Sequence, residues 1–448
     1  MKKFNRKKVD GISSTEESSS AKKSGKPSVA KVIKQALQDK AIDYIKSGNI
    51  EALEKMTEDG SEEIRFLNRF HTKSGKTPLC VAAEEGRFAS MELLLKAKPN
   101  VNLVDKTGMT AFLYAAKQGE LNILEMLHEA EADMHVKSES KLENALILAC
   151  AGNHLACVEL LDTYGLAVDE KNKLEETALS IALKFEYYDI CTFLVSRLAD
   201  INVVGRNGNT PLLRTAFDGH EKTATFLLQN GGDVNWKNMN GETALMVACR
   251  HGYGNMAKLF LESGALIDAV DDSGRNALMM VCMVGKYDII DLLIERGINI
   301  NAVDLWGYSA LMYLCNRPTE NMSEEHMQQH ITAIETLVGR GAFIDSMDRN
   351  YNTALMHCCR KDNMDIAMVL LNLGADPTFR SIDDVPVCDL ITSEENREIF
   401  LAAVHAIGHV PNHAMVREED GSACGGVRQK PSWITELNSR AKRRVIPV

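Results

Sequence analysis

The stretch GNTPLLRTAFDGHEKTATFLLQNGGDVN, Gly208–Asn235, contains the pattern that decides the fold. Thr210 stands directly before a short apolar segment, and threonine is one of the residues preferred at the N-cap of a helix. Gly219 follows that segment, and glycine is preferred where a helix ends in a left-handed conformation. A second apolar segment with paired leucines comes next. The stretch therefore predicts two short helices joined by a tight turn.

The same pattern recurs along most of the chain. Besides the copy at Thr210, the capping position of the first helix is occupied by Thr77, Thr110, Asn144, Thr177, Thr243, Asn276, Ser309 and Thr353. The step between copies is 33 or 34 residues, except for the last step of 44, which is one period plus an insertion of eleven. A helix pair this small cannot bury its apolar side alone, so we expect neighbouring pairs to stack.

These units resemble the ankyrin repeat, both in Gly208–Asn235 and in GKTPLCVAAEEGRFASMELLL, Gly75–Leu95. The resemblance covers roughly residues 70–380 in nine units. It implies an all-α ankyrin-repeat solenoid, elongated and curved, in which helix-turn-helix units are joined by hairpin-like loops. It also implies a concave face, lined by hairpin tips and first helices, that binds other proteins. The function itself must be argued from the site, because a fold hosts many functions.

We expect the chain to divide into five segments. Residues 1–27 form a disordered, basic, Ser-rich tail with plausible phosphorylation sites, and residues 28–69 form a degenerate helical cap. In this cap a helix after Pro27 precedes a helix pair within Ala41–Met56. The repeat array spans residues 70–380, residues 381–407 form a C-terminal helical cap with its last helix pair in Val385–Val404, and residues 408–448 form a flexible basic tail.

An insertion at residues 319–330 interrupts the eighth unit. Pro318 stops its first helix, and Ser323 is placed to cap a second helix that runs to about Arg340, longer than its neighbours. The acidic residues Glu324 and Glu325 suit a helix N-terminus. The insertion is either a tolerated extension of a surface loop or a protruding secondary contact site.

Charge is unevenly distributed along the chain, which carries a net charge of −11. Residues 1–27 hold eight basic and three acidic residues, and residues 408–448 hold seven basic and four acidic ones. The segment between them therefore carries a net charge of −19. An acidic body repels phosphate backbones, so nucleic acid is an unlikely main partner. We expect a partner protein with a basic or mixed-charge surface instead.

Two stripes of sulfur-containing residues follow the repeat. Methionine replaces the family's histidine at Met246, Met279, Met312 and Met356. Cysteine occupies a position that is alanine in other units at Cys150, Cys249, Cys282, Cys315 and Cys359. Both stripes indicate core packing, because methionine fills irregular gaps and free cysteine behaves as a small apolar residue. A copper-binding ladder and a redox role are the alternatives for the two stripes.

The histidine spacings give little support to a metal site, and the lack of catalytic motifs gives little support to enzyme activity. His326 and His330 lie one helical turn apart, His405, His409 and His413 are spaced by four, and His357 adjoins two cysteines. None of these sets has the paired CxxC or HExxH spacing that makes zinc likely. The sequence contains no GxGxxG, GxxxxGK[ST] or GxSxG motif. We expect no enzyme activity, no cofactor, no bound metal and no small-molecule substrate.

The turn DLWG, Asp304–Gly307, is the unusual one, because apolar Leu305 and Trp306 stand where other turns carry small polar residues, and Tyr308 follows. Aromatic, methionine and arginine side chains are enriched in interface cores. We therefore expect a binding surface made of Leu305, Trp306, Tyr308, Met239, Arg250, His251, Arg275, Met283, Arg317, Arg349, Arg206 and Phe217, flanked by Val284, Asn316, Asn352 and Asp218. The alternative is that Trp306 packs on an adjacent hairpin, under Trp433 or under the inserted helix.

The function expected from these patterns is that of a protein-binding scaffold or adaptor. One alternative is a regulator that docks to nucleic acid or anionic membrane through its basic tails, and another is a metal- or redox-responsive switch. No apolar run approaches the ~20 residues that span a bilayer, and no secretory signal precedes the body. We expect a cytoplasmic location with reduced thiols, while nuclear import through the RAKRR cluster and secretion as a microbial effector remain open.

Overall fold

The computed structural model describes residues 29–58, 75–319 and 322–408. Within these ranges the chain is α-helical and contains no β-strand, and none of its helices is long and apolar enough to cross a membrane. The chain forms two compact units, one within residues 1–166 and one within residues 167–448. The tails expected at 1–27 and 408–448, with Trp433, His409, His413 and the RAKRR cluster, lie outside the described residues except for Gly408.

The first compact unit, within residues 1–166, contains helices α1 to α8 in the described ranges. They are α1 Val29–Ser47, α2 Ile50–Glu58, α3 Pro78–Glu84, α4 Phe88–Lys96, α5 Ala111–Gln118, α6 Leu121–Glu129, α7 Ala145–Ala151 and α8 Leu155–Thr163. One expectation is wrong here: the helix after Pro27 is not separate from the following helix pair. It continues as α1 to Ser47, because no glycine or proline interrupts the chain before Gly48.

The second compact unit, within residues 167–448, contains helices α9 to α21 and three short 3₁₀ turns in the described ranges. The helices are α9 Ala178–Lys184, α10 Tyr188–Ser196, α11 Pro211–Asp218, α12 Glu221–Gln229, α13 Ala244–His251, α14 Gly254–Glu262, α15 Ala277–Val284, α16 Ile290–Glu295, α17 Ala310–Cys315, α18 Glu324–Gly339, α19 Ala354–Arg360, α20 Met364–Asn372 and α21 Glu394–Ile407. The 3₁₀ turns are Arg206–Gly208, Tyr287–Ile289 and Val387–Leu390. The expected C-terminal pair is therefore a 3₁₀ turn after Pro386 followed by one helix.

The nine predicted capping residues all act as caps. In each unit the side-chain oxygen accepts a hydrogen bond from the backbone N–H three residues later, as Thr210 does from Leu213. Each such cap stabilises its helix by about 1 kcal/mol. The repeated cap fixes where every first helix begins, and so fixes the register in which hairpins and helices follow one another.

Within each of the two compact units, every helix pair buries its apolar side against the next pair. The four methionines of the repeating stripe are at most 1% exposed, and the five cysteines are fully buried. The prediction that both stripes belong to the core is confirmed. Burial also raises the pKa of the Cys249 and Cys282 thiols, which makes the reactive thiolate scarce.

The insertion forms the helix that the sequence predicts. Ser323 caps α18 by accepting from the N–H of His326, and α18 ends at Gly339. On its inner side, His330 is fully buried and its Nδ1 lies 2.6 Å from the Tyr287 hydroxyl. Burial, helped by the charge of Arg317, lowers the pKa of His330 to about 4. The neutral imidazole thus anchors the inserted helix on the preceding unit.

Candidate functional site

The hairpin turn around Trp306 is held from below by one carboxylate. Oδ1 of Asp304 accepts hydrogen bonds from the backbone N–H groups of Trp306 and Tyr308, both at 2.8 Å. Its Oδ2 accepts from the Tyr313 hydroxyl at 2.6 Å. Asp304 is itself buried. The turn is therefore rigid at its base, and the Asp in DLWG has a structural role.

From the fifth hairpin onward, backbone hydrogen bonds also join each hairpin tip to the next. The N–H of Leu305 donates to the carbonyl of Ser273, and the N–H of Arg349 donates to the carbonyl of Trp306, both at 3.0 Å. Gly307 permits this approach, because its φ is +84° and a Cβ there would lie 2.9 Å from the Arg349 nitrogen. Equivalent bonds link the other tips from the fifth hairpin to the last one, at residues 381–384, and are made by the N–H groups of Met239, Asp272 and Ile382.

Apolar side chains project from this backbone ladder into solvent. Trp306 is 53% exposed and Leu305 50%. We call the exposed apolar side chains from the sixth hairpin to the last one, at residues 381–384, the hairpin surface, and they are Trp236, Met239, Val270, Val303, Leu305, Trp306, Met347, Tyr351 and Ile382. All of them belong to the second compact unit, residues 167–448. Monomeric proteins rarely expose a contiguous apolar row of this kind without a use for it.

Tyr308 differs from Trp306, although the sequence placed them together. The Tyr308 ring lies 4.9 Å from the ring of His357 and 5.6 Å from that of Tyr313, and it is half-buried. Burial accordingly raises the pKa of its hydroxyl. His357 in turn contacts Oδ2 of Asp348 at 3.0 Å. Tyr308 is thus part of the packing between the eighth and ninth units, while Trp306 is free to contact another molecule.

The arginines proposed for the surface are largely held by their own chain. Nη1 of Arg250 lies 2.5 Å from Oε1 of Glu242, and Nη2 of Arg275 lies 2.7 Å from Oδ2 of Asp271. Arg275 also reaches the sulfur of Met283 at 3.8 Å. These contacts join the hairpins to the first helices. They fix Arg250, Arg275 and Met283 between the hairpins and the first helices.

Arg317 and Arg349 complete the set near Trp306. Nη1 of Arg317 donates to the carbonyl of Met283 at 3.3 Å, so the cation covers the C-terminal end of α15. The Arg349 side chain is exposed at the tip that adjoins Trp306. Val284 and Asn316 are partly exposed. Asn352 is a correction, because it is buried and its amide nitrogen donates to Asp348.

The fifth unit carries a second group of predicted residues. Phe217 lies 5.9 Å from the ring of His251, edge to face, and Arg250 covers its ring at 5.7 Å. Burial, with the charge of Arg250, lowers the pKa of His251. Asp218 is engaged by Arg214 at 3.0 Å. Phe217, His251 and Arg250 thus form one cluster of contacting side chains.

A cleft opens beside this cluster, between the fourth and fifth hairpins. No backbone hydrogen bond joins those two tips in the described structure, and Nη2 of Arg206 donates instead to the carbonyl of Lys173 at 3.1 Å. Gly205 replaces the Asp, Asn or Ser that supports other turns. The cleft has a volume of about 300 Å³ and is lined by residues that include Leu174, Leu183, Val203, Arg206, Pro211 and Arg214.

Sequence reasoning missed several members of the hairpin surface. Tyr351 is 56% exposed and occupies the turn position that glycine holds in most units, with φ +59°. Its departure from the turn pattern was a usable signal. Ile382 lies at the tip of the last hairpin, outside the segment assigned to the array. Met347 and Val303 precede their turns, where the repeat pattern does not distinguish exposed from buried positions.

The histidines do not assemble into a common site. His326 is exposed and its Nδ1 lies 3.0 Å from the Ser323 hydroxyl, whereas His330 is buried against Tyr287. His357 contacts Asp348. Among the described residues, no group of three or more His, Cys, Asp or Glu side chains has an arrangement that could hold a metal ion.

Comparison with family models matches most of this architecture. A model of ankyrin repeats, in three copies, matches residues 41–138, 130–205 and 198–271. Models of the single ankyrin repeat match residues 273–302 and 350–382. The eighth unit, with DLWG and the insertion, lies between these last two matches. The comparison with curated proteins gives no match.

Proposed function

Because this chain belongs to the ankyrin repeat family, whose repeats are generally protein–protein interaction modules, we propose that it is a scaffold or adaptor that binds a partner protein on the hairpin surface. The observation that carries the proposal is the exposure of Leu305 and Trp306 on a backbone fixed from both sides.

Rigidity of the backbone favours this use of the surface. Binding normally costs free energy to order loops and side chains at the interface. Here the carboxylate of Asp304 and the bonds to Ser273 and Arg349 already hold the turn. A partner that covers Leu305 and Trp306 gains the burial of apolar area at a small ordering cost. Tryptophan is also among the residues that most often dominate binding energy.

Neighbouring residues supply the remainder of the proposed interface. Met239 and Arg349 project from tips of the same ladder, and Arg275 and Arg317 both contact Met283 on the first helix α15. Arg206, Phe217, Arg250 and His251 extend the surface toward the cleft of the fifth unit. Tyr308 contributes indirectly, because its packing positions the turn that carries Trp306.

A binding role without catalysis, in a reducing cytoplasmic compartment, completes the proposal. Ankyrin repeat proteins are typically non-enzymatic binding scaffolds. The ten described cysteines are free, which fits a reducing compartment. We retain residues 28–69 and 381–407 as caps and residues 70–380 as the array. Docking to nucleic acid or membrane through the tails is the second candidate, and its residues lie outside the described ranges.

Affinity capture with three forms of the full chain tests the proposal. Leu305→Ala/Trp306→Ala removes the two exposed tip residues, and Leu198→Ala is the matched control, because Leu198 is an exposed apolar residue in a loop after a second helix. We expect proteins retained by the wild type and by the Leu198 variant to be lost from the double variant, with melting temperatures equal. Retention of the same proteins by all three forms would overturn the proposal.

A further inference from the structure

We infer that the partner segment bound on the hairpin surface is acidic and amphipathic, with aspartate or glutamate residues flanking apolar anchors. The inference rests on the proposed function, since it concerns the chemistry of that same surface. It differs from the expectation drawn from net charge, because the charges around Trp306 differ in sign from those of the body as a whole.

Cationic groups surround the exposed tips of the eighth and ninth units. Arg349 is exposed at the tip hydrogen-bonded to Trp306. Arg360, at the end of α19, is exposed and donates to Oδ1 of Asn352 at 3.1 Å, and its charge acts on the nearby Tyr308 hydroxyl. Lys361 donates to the carbonyl of Asn316 at 2.7 Å. Arg349 and Arg360 thus lie at the ninth hairpin, while Lys361 lies at the C-terminal end of α17.

The carboxylates of the same region are covered by protein. Asp271, Asp304 and Asp348 are each 5% exposed, beneath the seventh, eighth and ninth turns. Their oxygens already accept hydrogen bonds from turn N–H groups and from Arg275, Tyr313 or His357. A partner over the eighth and ninth tips therefore meets Arg349 and Arg360 and not these three buried carboxylates. Asp272 is the exposed carboxylate of the seventh tip, and Asp383 and Asp384 are exposed at the last hairpin turn, after the ninth, so the cationic stretch is centred on Trp306 and Arg349.

Complementary charge selects the partner's chemistry. Like charges across an interface cost several kcal/mol, whereas opposite charges steer association and fix register. A basic segment would place its charges against Arg349 and Arg360. A segment with carboxylates beside its apolar side chains would satisfy both features of the surface, since its apolar residues cover Leu305 and Trp306 while its acids face the arginines.

Nucleic acid is also anionic, but it suits the surface less well. The apolar tips Leu305, Trp306 and Tyr351 stand between the cations, where a phosphate backbone gains nothing from contact. The chain's net charge of −11 also repels a long polyanion. A short acidic peptide segment carries few charges and meets only the local field, which salt limits to roughly 10 Å.

Selection from a displayed library of random 16-residue peptides against the immobilised full chain tests the inference. Enriched peptides are synthesised, and their Kd values are measured by fluorescence anisotropy at low and physiological salt. The variants are Trp306→Ala, Arg349→Glu, Arg349→Gln and the control Lys258→Glu, whose exposed side chain lies on the second helix α14. The Arg349 variants leave its backbone bond to Trp306 in place.

We expect the enriched peptides to be net acidic with aromatic or aliphatic anchors, and their affinity to fall as salt rises. Trp306→Ala and Arg349→Glu should each weaken binding about tenfold or more, Arg349→Gln should weaken it less, and Lys258→Glu should change it less than twofold. Peptides that need Trp306 but are neutral or basic, and that tolerate Arg349→Glu, overturn this inference while the proposed function stands. Peptides that bind equally well without Trp306 overturn the proposed function. A 20-nucleotide single strand that binds more tightly than the peptides, in a Trp306-dependent way, also overturns the inference.

Discussion

The backbone N–H of Arg349 lies 3.0 Å from the carbonyl oxygen of Trp306, so two hairpin tips in successive units are joined without the use of either side chain. The Trp306 indole is consequently exposed on a turn whose backbone is fixed. Removing this side chain deletes a contact surface but leaves both the carboxylate support from Asp304 and the link to the next tip intact.

Trp306→Ala should therefore separate binding from stability. We expect the affinity for the partner to fall by about 2 kcal/mol or more, the level that defines a hot spot. The free energy of unfolding should change by about 0.5 kcal/mol or less, as is usual for exposed positions. Chemical denaturation and a binding titration on the same preparation check this. A large loss of stability with unchanged binding would place Trp306 in the solenoid's own packing.

Tyr308→Ala should show the opposite behaviour, since its ring packs against His357 and Tyr313. We expect a loss of roughly 1–3 kcal/mol in the free energy of unfolding, less than for a fully buried aromatic residue. Tyr351→Ala is the matched control, because Tyr351 is exposed at the next tip, and it should change stability by about 0.5 kcal/mol or less. Equal effects of the two tyrosine substitutions would contradict this division.

Asp304→Ala should destabilise the array by roughly 2–4 kcal/mol, because the N–H groups of Trp306 and Tyr308 and the Tyr313 hydroxyl lose their acceptor. Asp304→Asn should cost less, since Asn238 accepts from two N–H groups at the equivalent position of the fifth-to-sixth hairpin. Urea denaturation measures both. Asp272→Ala, at an exposed tip position, serves as the control, and a similar loss there would show that the turns tolerate no change at all.

Much of this fold was predictable because its stabilising interactions are local. A capping residue bonds the N–H three positions later, so Thr210 and its equivalents identify every first helix of the array, and Ser323 identifies α18. The helix boundaries of the N-terminal region were harder to predict. Nothing in the pattern near Ala41 distinguishes a helix that begins there from one that merely passes through, as α1 does.

The candidate site was predictable only in part, because its details depend on contacts between units. Periodicity placed Trp306 and Tyr308 on one hairpin, but it could not show that Tyr308 turns toward His357 of the next unit. Likewise, the amide nitrogen of Asn352 donates to Asp348 within the same turn, and the repeat pattern shows neither this bond nor the burial of Asn352. The partner's charge stays a prediction, and net charge alone cannot decide it, because buried carboxylates such as Asp304 and Asp348 count in the sum but do not face solvent.

Stability should depend on pH through His330. Its pKa is lowered to about 4 in the folded chain, below the ordinary value near 6.5, because the ring is buried. The unfolded chain therefore takes up a proton at higher pH than the folded chain does. The contribution of neutral His330 to the free energy of unfolding is fully present above pH ~6.5. It is lost as pH falls toward 4, on the order of 3 kcal/mol in all.

His330→Gln should flatten this dependence, as measured by urea denaturation at several pH values between 7 and 4.5. The variant will be less stable at pH 7, because Gln cannot reproduce the packing or the contact with Tyr287, so the slope is the relevant quantity. His326→Gln is the control on the same helix, since His326 is exposed. If the slope of the free energy of unfolding against pH is unchanged in the His330 variant, this imidazole does not cause the loss of stability at acidic pH.

Thiol labelling should distinguish the buried cysteine stripe from the exposed end of the array. We expect Cys150, Cys249, Cys282, Cys315 and Cys359 to react slowly with an aromatic disulfide reagent at pH 8, since all five are fully buried. Burial also raises the pKa of Cys249, Cys282 and Cys359, which lowers the fraction of thiolate that attacks the reagent. Cys388, which is only partly buried, should react first among the described thiols.

The measurement is best made on the Cys424→Ser variant, because Cys424 lies outside the described residues. Mass spectrometry after short exposure should find one label, on Cys388, and addition of denaturant should release the remaining thiols together as the array unfolds. A Cys388→Ser version should then take up almost no reagent in the native state. Fast labelling of Cys249 or Cys282 without denaturant would mean that the helix pairs open locally far more often than their packing implies, because the reagent reaches these thiols only when neighbouring pairs separate.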